Sequence, residues 1–297
     1  MGMPTDIGVI DLMLGIPDPG KKEGWYDFLK PNLRDAESST FKFPAQYMFK
    51  EVPEDPTEGD MIAYTLDQMD GHGIDKAMIG FSLEGGIQYE AALQHPDRFL
   101  ASIAVDPNEG MKALRKIDEA AEKTDLKAVT LFPSGCNPGV PINDKRMYPV
   151  YAKCCELDIP VFCCVGVPGP RVPMAPQHVE LIDEVCWFFP ELKVVFSHGG
   201  EPWEEMCVKL MLKWPNLYYM TSAFAPRYIP AAIVKYLNSR GGDKVMWASD
   251  YPLLPFQRCM DEVENMTFRD DERKDKFLRA NAERLLFGGA KGEGGAA

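Results

Sequence analysis

Of the four histidines in the chain, His198 stands in Ser197-His198-Gly199-Gly200-Glu201, directly behind the apolar run Lys193 to Ser197. An imidazole followed by two glycines can move protons near neutral pH while the backbone beside it stays open to a ligand. A carboxylate occupies a matching context, because Asp250 follows Val245-Met246-Trp247-Ala248-Ser249 and precedes Tyr251-Pro252. A His and an Asp that converge on one cavity can divide general acid and general base work between them. Glu201 and Trp203 behind His198, Ser222, Tyr251, Cys164 and Met13 are expected to line the same substrate site. Arg171, in Gly-Pro-Arg-Val-Pro, and Arg227, in Ala-Pro-Arg-Tyr, either bind a substrate carboxylate or oxyanion or brace their loops. His72 and His95, near helix ends, and His178, opening a helix, read as structural or surface residues.

These positions become neighbours only if the chain supplies strands that end together. Eight apolar, β-branched runs do so: Ile7 to Met13, Lys76 to Phe81, Leu100 to Val105, Ala128 to Phe132, Pro160 to Val165, Lys193 to Ser197, Leu217 to Thr221 and Lys244 to Ser249. Near-continuous apolar runs suit strands covered on both faces. Helical stretches alternate with them: Asp60 to His72, Gly86 to Gln94, Glu109 to Lys123, Asp144 to Glu156, Gln177 to Phe189, Trp203 to Leu212, Ile229 to Ser239 and Asp270 to Phe287. The pattern predicts an α/β fold, a single (β/α)8 TIM barrel over residues 1–287, whose chemistry sits at the carboxyl ends of the strands.

The helix after strand one is delayed by an insertion over residues 15–59, rich in proline and aromatics (Trp25, Tyr26, Phe28, Phe41, Phe43, Tyr47, Phe49). Too apolar for a linker, it is expected to be a lid, a subunit contact or a surface excursion. Residues 288–297, GGAKGEGGAA with the first glycine at Gly288, read as a flexible tail. The 32 Lys and Arg against 45 Asp and Glu leave −13, a field that repels nucleic acid and anionic membranes. No apolar run is long enough for a membrane span, and Met1 to Asp6 does not resemble a secretion signal. The eight cysteines show no CxxC spacing, as expected of a reduced, cytoplasmic protein whose thiols pack in the core.

Ile10 to Leu14 (IDLML), His95 to Phe99 (HPDRF), Phe196 to Trp203 (FSHGGEPW), Trp247 to Pro252 (WASDYP) and Asn281 to Phe287 (NAERLLF) together resemble the amidohydrolase-related (amidohydrolase 2) family, in the group of aminocarboxymuconate-semialdehyde decarboxylase. The likeness spans essentially the whole chain. It implies a metal-dependent TIM barrel with His198 catalytic, and commonly a homodimer. The departures fall on the metal ligands. Where the resemblance implies IDxHxH at strand one, this chain has Met13 and Gly15, and where it implies a strand-five histidine it has Cys164. A thioether is a poor zinc ligand and glycine offers no side chain, so no metal and no other cofactor are expected. A rebuilt site of Cys164, His198 and Asp250 is the alternative, and ordinary strand packing is the plainer role for Cys163 and Cys164.

The first reading is therefore a metal-independent hydrolase of a small ester, lactone or thioester. Asp250 would deprotonate water and His198 would polarise the carbonyl or protonate the leaving group. The second, taken from the resemblance, is a non-oxidative decarboxylase; the third is a barrel that binds without catalysing. The expected partner is a small molecule, with neither nucleic acid nor membrane.

Overall fold

The computed structural model describes residues 7–19, 27–43, 45–50, 52–54, 56 and 58–288. Eight strands run parallel in chain order: β1 Val9–Asp11, β2 Ile74–Gly80, β3 Phe99–Ala104, β4 Ala128–Leu131, β5 Val161–Cys164, β6 Val194–Ser197, β7 Leu217–Met220 and β8 Val245–Met246. The ring closes where the Leu12 N–H donates to Trp247 O at 3.4 Å and Leu14 forms a parallel bridge with Tyr251. The helices are α1 Met61–Gly71, α2 Ile87–Gln94, α3 Met111–Lys123, α4 Tyr148–Glu156, α5 Ile182–Phe188, α6 Glu204–Lys213, α7 Ala231–Leu237, α8 Phe256–Glu264, α9 Asp271–Asp275 and α10 Asn281–Phe287. This is the single (β/α)8 barrel that the alternation of runs implies.

Successive side chains on a strand point to opposite faces, so each strand feeds two cores. Ile10, Met78, Leu100, Ala128, Phe162, Val195, Met220 and Met246, one from each strand, fill the lumen, and Ala282, Leu285 and Leu286 of α10 pack against them. The residues between, such as Val129, Cys163 and Phe196, join the layer under the helices. Counting on by two from the lumen residues, and by four from Met246 through Ala248, gives Cys164, Ser197, Ser222 and Asp250 at the carboxyl ends of β5 to β8. The fold thereby brings four chemically capable groups to one mouth.

Several boundaries differ from those the sequence suggests. Strands one and eight shorten to three and two residues, because Asp11 and Ser249 turn to bond each other instead of continuing the ladder. The expected helix Gln177 to Phe189 opens with two tight turns and becomes helical only at Ile182. Helix α8 was not anticipated.

Within the insertion, three short 3-10 turns cover Asp27–Asn32, Ser38–Thr40 and Gln46–Met48. Asn32 Nδ2 donates to the carbonyls of Gly135 and Cys136 at 3.1 and 3.0 Å, beyond β4, and Tyr47 OH to Gly169 O at 2.7 Å, beyond β5. The segment therefore lies against two mouth loops, while Phe28, Tyr47 and Met48 remain exposed in the single chain. Trp25 and Tyr26, and the tail from residue 289, lie outside the described residues. Among those described, no helix is long and apolar enough to cross a membrane. None of the eight cysteines forms a disulfide.

Candidate active site

His198 follows the last residue of β6 with φ of 60°, a left-handed conformation that a side chain rarely adopts. The turn is held from β7: Ser222 Oγ accepts from the His198 backbone N–H at 3.0 Å and lies 3.2 Å from His198 Nδ1. One buried hydroxyl therefore fixes both the peptide and the ring. The two glycines that follow are required, at φ of 89° and 71°. A Cβ on Gly199 would collide with the Phe224 ring, and one on Gly200 would lie 2.6 Å from Cys207 Sγ. The Cys164 thiol, whose residue pairs in register with Ser197, is within hydrogen-bonding reach of the His198 ring.

Asp250 also has left-handed φ, 63°, and its N–H donates to Met13 O at 3.1 Å. Its carboxyl accepts from the N–H of Ala223, which has φ of 68°. His198 leans on Ser222 and Asp250 on Ala223, so the two side chains meet on consecutive residues past β7. They are joined through that turn.

A second carboxyl lies just below. Asp11 is fully buried on β1, and its Oδ1 accepts from the N–H groups of Ser249 and Met13 at 2.9 and 3.1 Å while the Ser249 hydroxyl donates to Oδ2. Burial pushes Asp11 up to about 7, against these hydrogen bonds and with a further push from Asp250. Burial likewise pushes Asp250 up to about 7, against the Ala223 N–H. For His198, burial disfavours the imidazolium, but the charge and hydrogen bond of Cys164 outweigh it and the ring is raised above its usual value. Asp11 was visible as the one charge in Ile-Asp-Leu-Met-Leu, yet its partner Ser249 is 238 residues away and no spacing reveals it.

The remaining expected residues are scattered more widely. Met13 is half-buried against the lumen cluster, and Tyr251 is buried with its ring stacked 4.4 Å from Phe256. Trp203 packs on His178 at 4.0 Å between ring centroids, and Glu201 is exposed, its carboxyl raised by partial burial and by Glu204. Arg171 pairs with Asp35 and Glu37 of the insertion, both at 2.8 Å, with Phe41 and Tyr47 against its guanidinium. Arg227 is held by Glu262 at 2.6 Å. Both arginines are thus occupied by carboxylates of this chain. His72 bonds Gln68 O, His95 sits edge-on to Phe99, and His178 accepts from the Glu180 N–H. Clefts of about 430 and 420 Å³ open elsewhere, one at the amino ends of β2 and β3 by Lys76 and Phe99, the other by Trp187 and Trp214, and neither touches the site.

The metal centre that the resemblance implies does not fit these residues. Met13 offers a thioether, Gly15 has no side chain and its backbone N–H is given to Tyr251 O at 2.7 Å, and Cys164 faces His198. Among the described residues, no group of three or more His, Cys, Asp or Glu side chains could hold a metal ion.

A family model described as amidohydrolase matches residues 14–288. A search of curated proteins finds no match. Among solved structures, an uncharacterized TIM-barrel protein of Bordetella bronchiseptica is similar at 23% identity and TM-score 0.70, over 94% of this chain and 98% of that one. A manganese-bound 5-carboxyvanillate decarboxylase of Novosphingobium aromaticivorans is similar at 16% identity and TM-score 0.67, over 96% and 99%. A probable 2-pyrone-4,6-dicarboxylic acid hydrolase of Acinetobacter baumannii is similar at 14% identity and TM-score 0.61, over 94% and 99%. These identities speak for a shared fold.

Proposed function

The chain belongs to the amidohydrolase family, an enzyme family, and from that premise we propose that it is a metal-independent hydrolase of a small carbonyl substrate, an ester, lactone or thioester. The observation that carries this reading is the pairing of His198 and Asp250 to consecutive residues, Ser222 and Ala223, beside a donor set unsuited to a metal. A carboxyl held near 7 is poised as a base or acid at neutral pH, because ordinary carboxylates are too weak as bases there. Asp250 takes a proton from water, and His198 polarises the carbonyl or protonates the leaving group. The buried N–H groups of Gly199 and Gly200 have no acceptor among the described residues and are candidates for the developing oxyanion. The pyrone hydrolase of the same fold is compatible with this chemistry.

The second reading, a non-oxidative carboxy-lyase, draws on the decarboxylase that shares the fold, with the His198 and Asp250 pair protonating a substrate carbon. One screen separates the two. Esters, lactones, thioesters and aromatic acids are incubated with the protein in oxygen-18 water, with carbon dioxide measured in the headspace. Label in a product carboxylate is expected; carbon dioxide release without label incorporation would replace the hydrolase with the lyase.

A further inference from the structure

We propose that Cys164 is a nucleophile that carries the acyl group of the substrate, with His198 as its proton partner and Ser222 as the group that orients His198. The inference rests on the hydrolase reading and narrows its substrates to acyl compounds with good leaving groups, thioesters and activated esters.

Three consecutive strand ends supply the parts. On β5, Phe162 faces the lumen and Cys163 the helix layer, so alternation returns Cys164 to the lumen side. Its cross-strand neighbour is Ser197, followed by His198, whose ring the thiol reaches. Ser222, past β7, lies 3.2 Å from Nδ1 of that ring and fixes its backbone as well. A nucleophile, a base and a third group orienting the base form the arrangement by which weak nucleophiles are activated. Ser197 is the independent sign of a ligand. It is 2% exposed, and its hydroxyl has no hydrogen-bond partner on the same lumen face as Cys164. Buried hydroxyls are normally satisfied, so this one is available to a group that enters the mouth. The other thiols lack such a setting: six are buried, and Cys155 is half-buried on α4.

The step balances without a metal. Proton transfer from Cys164 to His198 gives a thiolate and an imidazolium. The sulfur lone pair forms a C–S bond to the substrate carbonyl carbon, and the carbonyl π pair moves to oxygen. Its return breaks the bond to the leaving oxygen or sulfur, which takes the His198 proton. Water then attacks the thioester and the C–S bond breaks, its pair returning to sulfur. Of the two water protons, Asp250 takes one, which returns through solvent to His198, and the other leaves with the acid.

The test uses p-nitrophenyl acetate and S-phenyl thioacetate with the full chain, with circular dichroism verifying the fold of each variant. Wild type is expected to release one nitrophenolate per chain in a burst, and acid-quenched peptide mapping to find the acetyl group on Cys164. Cys164→Ala and Cys164→Ser lose the burst and at least about a hundredfold in turnover. Asp250→Asn keeps the burst but stalls afterwards, and Cys155→Ala behaves as wild type. Wild-type turnover in Cys164→Ala without any adduct would overturn the nucleophile and leave the hydrolase standing. If wild type hydrolyses neither probe, iodoacetamide still tests the pair. Alkylation of Cys164 at pH 6 is expected at least about tenfold faster in wild type than in His198→Asn, because only the thiolate reacts. Equal rates would remove the pair.

Discussion

Asp11 and Asp250 are carboxyls pushed to about 7 by burial, whereas in an unfolded chain they titrate near 3.9. Between those values the folded protein binds more protons than the unfolded one, so stability is highest below about pH 4 as far as these groups are concerned. It falls as pH rises toward 7, by at most about 1.4 kcal/mol per unit for each carboxyl, and levels off above. Asp11→Asn removes one such group and is expected to flatten the decline in urea-unfolding free energy between pH 5 and 7; an unchanged slope would contradict the burial argument. For activity, His198→Asn and Asp250→Asn should each lower turnover on an identified substrate by at least about a hundredfold, the lower scale for a positioned acid or base. Near wild-type rates in both would show that the chemistry lies elsewhere. The positions of these two residues past strand ends were legible in the sequence, because each follows an apolar run. Ser222 was legible as a site residue, but its bond to His198 and that of Ala223 to Asp250 were not, since the register of β7 against β6 and β8 decides which atoms meet.

The eight strands could be read because both faces of each are covered, which leaves apolar runs with little interruption. Helix α8 went unread although Phe256, Cys259, Met260 and Val263 mark one face at helical spacing. It lies between the eighth strand and the closing helical stretch, where the simple alternation of one strand with one helix leaves no place for it. The segment over residues 15–59 stood out in the sequence as too apolar for a linker, but its contacts could not be read there: one of them, Arg171, is a mouth-loop residue 134 and 136 positions from its partners Glu37 and Asp35. Exposed ion pairs contribute little to stability, so Arg171→Ala should barely move the global unfolding midpoint. It should instead free the insertion locally, speeding tryptic cleavage after Arg34 or Lys42 several-fold in a time course followed by mass spectrometry. Cleavage at the wild-type rate would mean that Asn32 and Tyr47 hold the segment without it.

As a whole the molecule has the family's barrel, with Met13, Gly15 and Cys164 where the resemblance implies histidine ligands. A divalent ion needs several matched ligands, and the remaining His198 and Asp250 are too few to hold zinc or manganese against solvent. Dialysis against a chelator is therefore expected to leave turnover and melting temperature unchanged, with elemental analysis finding far less than one metal ion per chain. Near-stoichiometric zinc that disappears in Cys164→Ser would overturn this and make the thiol a ligand. The overall architecture was readable because strand order in space follows strand order in the chain, the simplest route a sequence can specify. What one residue does to another across the mouth could not be read that way.

Three successive strand ends place His198, Ala223 and Asp250 in backbone conformations that favour glycine. A selection for heat resistance and a selection for catalysis should therefore disagree at residue 223. Ala223→Gly relieves up to about 1 kcal/mol of backbone strain, offset in part by the greater freedom of glycine in the unfolded chain. The same change loosens the N–H that holds Asp250. Directed evolution for thermal survival should accept glycine there, and a screen for turnover should discard it, making residue 223 a place where this enzyme exchanges durability for rate.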